Sequence, residues 1–186
     1  MSITSRFLGV GLIGSLVGLT AVAADDAPQT IKAGALSFKA PASWKSEKPK
    51  SSMRLSQLKV AAAPGDDEPA ELAVFAFPGG GGAVQQNVER WESQFVDADK
   101  KTPKAKVESR KGVNVDVTRV EVAGRNVAPI MPGQAGKSDK PNQRLLGAIV
   151  VTKDVGYFFK MVGPDKTVLA ASKGFDALIE SMTLAQ

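Results

Sequence analysis

Arg144-Leu-Leu-Gly-Ala-Ile-Val-Val-Thr152, a short break at Lys153-Asp154, and Gly156-Tyr-Phe-Phe-Lys-Met-Val162 decide the fold. Both runs are strand-length and apolar at odd and even positions alike, through Leu145, Leu146, Ile149 and Val150, then Tyr157, Phe158 and Phe159. A strand apolar on both faces belongs in the middle of a sheet covered on each side, and the short break makes the two runs an antiparallel hairpin. Directly afterwards Gly163-Pro164-Asp165 opens a helix, with proline at the first helical position and an acid near the positive end. Val168, Ala171, Phe175, Leu178, Ile179 and Met182 make its buried face.

Working back from this hairpin, Glu71 to Phe77 is another strand apolar on both faces, preceded by the turn cluster Pro64 to Pro69 and the strand Arg54 to Ala61. Thr30–Ala33 and Leu36–Ala40 pair around Gly34, and Lys45 to Ser52 is a charged connection. Pro78 and Gly79 to Gly82 stop the central strand. Val84, Val88, Trp91 and Phe95 then recur at helical spacing, which predicts a helix over 83–96. After a lysine-rich link, Ala105–Ser109 and Val113–Val122 form a second hairpin. In its second strand Val113, Val115 and Val117 share one face while Val120 and Val122 fall on the other. That slip at Thr118-Arg119 implies a bulge or a strand whose far end is covered on its opposite side. Residues 124–143 carry three prolines, three glycines and no period, and read as a long loop. The sum is an α+β domain: an antiparallel sheet of about six to eight strands flanked by two long helices, an α-β-α sandwich. It spans 30–186 behind a disordered lead at 25–29.

The first 24 residues read as an export address. Arg6 is followed by the apolar stretch Phe7 to Val22, shorter than the roughly 20 residues a membrane span needs, and Ala21-Val22-Ala23-Ala24 supplies a cleavage site. No later run is long enough to cross a bilayer, so the expectation is a secreted or periplasmic protein without an integral span. The chain has no Cys and no His. The first absence means stability without disulfides, drawn from burial with 43% hydrophobic residues. The second removes Ser-His-Asp machinery and, with Cys also missing, the usual zinc and copper ligands. No metal and no cofactor are expected.

Two end segments resemble PsbP-like domains, whose relatives include a nuclear-import Ran-binding factor. Leu36-Ser-Phe-Lys-Ala-Pro-Ala-Ser-Trp44 is similar to their aromatic-x-x-Pro-x-x-Trp opening, and Gly163-Pro-Asp with Phe175-Asp-Ala-Leu-Ile-Glu-Ser-Met182 to their last helix. The resemblance implies an antiparallel sheet between helices and carries no catalytic motif. The middle, Gly79 to Gly82 with Asn87-Val-Glu-Arg-Trp91, looks more like secreted proteins of uncharacterised function from planctomycete-type bacteria.

Among local candidates, Gly79 to Gly82 fits neither nucleotide fingerprint and reads as a strand-to-helix connection. Asp66-Asp67-Glu68 lacks the alternating ligands of a calcium loop and reads as a solvated turn. Ser56-Gln-Leu-Lys59 places its serine and lysine on opposite faces of a strand, against the needs of an acylating enzyme. The basic stretch Lys100 to Lys111 has no interleaved aromatics, so nucleic acid is not expected. Two features stay as binding candidates. One is the polar row Asn87, Arg90 and Gln94, which either meets a ligand or pins the loop. The other is the loop itself, through Arg125, Ile130, Met131, Lys137 and Lys140. The function read from these is an exported, non-enzymatic binding or assembly module whose partner is a protein or an anionic envelope component. The alternatives are a hydrolase using carboxylates or lysine and a structural accessory subunit of an envelope complex.

Overall fold

The computed structural model describes residues 27–111, 115–129 and 136–184. In chain order the strands are β1 (Gln29–Ala33), β2 (Leu36–Ala40), β3 (Lys45–Glu47), β4 (Arg54–Val60), β5 (Ala70–Pro78), β6 (Phe95–Val96), β7 (Lys106–Lys111), β8 (Asp116–Asn126), β9 (Lys140–Val151), β10 (Val155–Pro164) and β11 (Thr183–Leu184). Helix α1 (Val84–Glu92) separates β5 from β6, and α2 (Asp165–Glu180) separates β10 from β11. The large sheet runs β3-β4-β5-β10-β9-β8-β6, with β7 also paired to β8. Its pairings are antiparallel throughout. A second sheet, β1-β2-β11, has three strands.

The doubly apolar runs occupy the middle, as their patterning demands. Tyr157, Phe159 and Met161 of β10 join Leu146, Ala148 and Val150 of β9 in one buried cluster. Phe158 joins Leu145 and Ile149 in another, on the opposite face. What covers these faces corrects the expected sandwich: the sheet is not flanked by two long helices. On the first face the 16-residue α2 shares the work with the small sheet, whose Leu36 and Phe38 pack into the same cluster as Val168, Phe175 and Leu178. Phe38 meets Phe159 edge-on at 5.3 Å between ring centroids. On the second face α1 has only nine residues. It ends at Glu92, and the chain re-enters the sheet as β6, pairing Phe95 with Asn126. Phe95 is buried with Val88 and Trp91 either way, so helical spacing could not show that the helix had stopped.

The slip in β8 is resolved without a bulge at Thr118-Arg119, since pairing to β9 is continuous from Asp116 to Gly124. Val115 and Val117 pack on the α2 face and Val120 and Val122 on the α1 face. Between them Arg119 and Glu121 occupy the α2 face because α2 offers charged partners there. Arg119 Nε donates to Asp176 at 2.8 Å and its Nη1 to Glu121 at 3.0 Å, and Arg144 bridges Glu121 to Asp165. The predicted 124–143 loop is also shorter than its composition suggests: β8 runs to Asn126 and β9 starts at Lys140. Pro129 and Lys137 form a further antiparallel bridge.

Asp66, read from sequence as part of a solvated turn, caps α2 from a distance. Its Oδ2 accepts from the Thr167 amide at 2.8 Å and hydroxyl at 2.7 Å, while Thr167 Oγ1 accepts from the Ala63 amide at 2.9 Å. Pro164, at the cap position, makes no side-chain cap bond. Asp66→Ala therefore should lower stability by about 1–2 kcal/mol, read as a reduced urea midpoint at unchanged slope. An unchanged midpoint would remove Asp66 from the account of α2.

Candidate functional site: an aromatic cleft with a half-buried lysine

On the α1 face a cleft of about 630 Å3 opens between α1, β4, β5, β10 and the start of the β8–β9 connection. Alternation along the strands builds its lining. Phe75 and Phe77 project from β5 and Phe158 from β10, with Trp91 of α1 as a side wall. Phe77 and Trp91 both meet Phe158 edge-on, at 5.4 and 6.4 Å. Gly147 of β9 makes room for the wall: a Cβ there would lie 2.3 Å from Trp91 Cζ3. The turn that delivers α1, Gly79 to Gly82, holds positive φ at all four positions, which only glycine adopts readily. Its composition serves this geometry.

Cations share the lining with the aromatics, and one of them stands over a ring. Arg54 is fixed by Gln57 Oε1 at 2.7 Å and Glu71 Oε1 at 2.6 Å, and its guanidinium lies 5.9 Å from the Phe75 ring centre. Lys50 also pairs with Glu71. Burial would raise the Glu71 carboxyl's proton affinity, but hydrogen bonds from Lys50 and Arg54 outweigh it and hold the group below the ordinary carboxylate value. Arg90 donates to Asn87 Oδ1 at 2.6 Å, and buried Asn87 donates to the Gly81 and Ala83 carbonyls at 3.1 and 3.0 Å. Lys160, on β10 between Phe159 and Met161, donates to Gln94 Oε1 at 2.5 Å. Among the described residues neither Arg90 nor Lys160 has an ion pair, and the cleft lining contains no carboxylate. Burial, reinforced by the positive charges of Arg90 and Arg54 and opposed by Glu71, lowers the Lys160 pKa to about 8.

The sequence-predicted residues scatter around this cleft. Arg90 and Gln94 line it, while Asn87 sits behind as a positioning residue. The Gln94 side chain holds Lys160, while its backbone carbonyl accepts from the Val127 amide at 2.8 Å, a main-chain contact that does not depend on the polar row. Arg125 pairs with Asp139 at 2.7 Å and Lys140 with Glu68, both at the surface, and Lys137 forms the bridge to Pro129. Ile130 and Met131 lie outside the described residues. Lys160, Phe75 and Phe77 were not singled out by sequence. The available signal was a single lysine inside a run otherwise apolar on both faces.

No protein-family model matches this chain, and no curated protein matches it. Solved structures do. The solution structure of cyanobacterial PsbP (CyanoP) from Synechocystis sp. PCC 6803 superposes with a TM-score of 0.55, covering 94% of this chain and 99% of that one at 14% identity. The fold is PsbP-like. A crystal structure from Bacteroides thetaiotaomicron is similar over 87% of this chain and 49% of its own at 10% identity, with a TM-score of 0.46. In the PsbP-like frame the opening motif is structural: Phe38 and Trp44 are buried, and the Trp44 amide donates to the Pro41 carbonyl at 3.0 Å to close the turn between them. No helix among the described residues is long and apolar enough to cross a membrane.

Proposed function

We propose that this chain is an exported, non-catalytic binding module, and that its capture site is the α1-face cleft, which takes an anion carrying an aromatic or aliphatic body. One observation carries the reading: Lys160 is half-buried beneath an aromatic-lined opening with a carboxamide as its partner and two guanidiniums nearby. A charge left uncompensated in such a place is costly, and an anion entering the cleft would supply what the protein does not. The aromatic walls offer apolar area, and the few polar groups would fix orientation, the usual division of labour in a ligand site. Export rests on the leader-like first 24 residues, and the likeness of the middle region to secreted bacterial proteins belongs with it. The carboxylate hydrolase has less support, because the cleft lining offers no pair of acids among the described residues.

Calorimetric titration at pH 7 with naphthoate, and with uncharged naphthylmethanol, tests the reading. Saturable naphthoate binding is expected, at least tenfold tighter than for the alcohol and weakened in high salt. Equal affinity for the two compounds, or no binding of naphthoate, would overturn it.

A further inference from the structure

Nothing in anion capture requires that the half-buried cation be a lysine. Arginine would hold a carboxylate with better geometry and a permanent charge, and the cleft already has Arg54 and Arg90. What lysine adds is an amine that can give up its proton and attack. We infer that Lys160 is a carbonyl-capturing amine: an oxo acid seated in the cleft, its carboxylate toward Arg90 and Arg54, condenses with Lys160 to form a reversible imine. The inference rests on the anion-binding reading and names its substrate class.

Burial and two cations favour the neutral amine, and one carboxylate opposes them. Arg90 faces it from α1 and Arg54 from β4, with Glu71 of β5 as the opposing charge, itself engaged by Arg54 and Lys50. Gln94 Oε1 accepts from the amine whether or not it is protonated, so losing a proton leaves no unsatisfied partner. A lysine among apolar walls and cationic neighbours is a recognised route to an activated amine. With its pKa lowered to about 8, about a tenth of Lys160 is neutral at pH 7, against a few parts in ten thousand for an ordinary lysine.

The chemistry balances without an external oxidant or reductant. The nitrogen lone pair attacks the carbonyl carbon, a C–N bond forms, and the C=O π electrons pass to oxygen, which takes a proton from solvent while the nitrogen releases one. In the resulting carbinolamine the hydroxyl takes a second proton and leaves as water as the nitrogen lone pair closes the C=N bond, and the iminium returns its N–H proton to solvent. Water addition reverses the sequence. The apolar walls restrict water around the dehydrating carbon, and the carboxylate stays with the guanidiniums throughout.

The test is reductive trapping on the intact protein with formylnaphthoate and cyanoborohydride at pH 7, followed by peptide mass mapping. Lys160 is expected to label at least tenfold faster than the mean of the other lysines. Excess naphthoate should suppress that label, and naphthaldehyde, which lacks the carboxylate, should show much less preference. Lys160→Arg should lose the fast phase. Even labelling across the lysines, with naphthoate still binding by calorimetry, would overturn the imine and leave the binding reading standing. Failure of naphthoate to bind, together with even labelling, would overturn both.

Discussion

Replacing Lys160 by methionine is expected to make the protein more stable at pH 7 while abolishing capture of naphthoate. The ordinary lysine value is 10.5 and the folded value about 8. Between those limits the unfolded chain binds more protons than the folded one, so stability rises with pH. The penalty for burying the ammonium is therefore fully present below about pH 8, shrinks as pH climbs, and is gone above the unfolded value. At one pKa unit per ~1.4 kcal/mol the penalty is about 3 kcal/mol. Methionine escapes it but leaves Gln94 without a donor, at about 1 kcal/mol, for a net gain of about 2 kcal/mol. For a domain of this size that is a rise in melting temperature of about 4–8 °C. Melts of both proteins at pH 7 and pH 10 check it: the gap should narrow at the higher pH. A methionine variant that is less stable at pH 7, or a gap independent of pH, would show that the ammonium is compensated within the fold. Such an opposition between stability and capture is the usual mark of a site kept for use.

Trp91→Ala is expected to have the largest effect in the opposite direction, a loss of about 3–5 kcal/mol. Trp91 is 3% exposed, lies over Gly147 and meets Phe158 edge-on. It also anchors a helix of nine residues, a length that is not stable alone in water and depends on packing. Its removal empties the cleft wall and loosens the segment that presents Arg90, so naphthoate binding should fall with stability. Gly147→Val probes the same contact from beneath, since its side chain would overlap the indole. Urea unfolding of both variants provides the check. A loss under about 1 kcal/mol for Trp91→Ala would mean that α1 is held by something other than this contact.

How far the sequence could be read depended on whether a pattern had one physical cause or two. The β9–β10 hairpin was legible because runs apolar on both faces have one good home, the middle of a covered sheet. The end of α1 was not, because Phe95 is buried equally by a continuing helix or by a returning strand. The breadth of the 124–143 loop was overread from its prolines and glycines, some of which sit within strands: Gly124 lies in β8 and Pro141 in β9. Asp66 was read as solvated because its partner, Thr167, is about a hundred residues away. Arg90 and Gln94 were visible as a polar stripe beside a buried one, but the lysine facing them comes from β10 and looked like a lapse in an apolar run. Local patterns encode faces. They do not encode which distant face will lie opposite.

The small sheet also constrains how the chain can come to its native state. Thr183 and Leu184 pair with Ser37 and Leu36, and the Lys39 amide donates to Ser181 Oγ. The apolar side of the first hairpin thus shares its burial with α2 and β11, which are made long after it. Contacts so remote in sequence make for slow folding, and the first hairpin cannot complete its part of the core until α2 and β11 have been made.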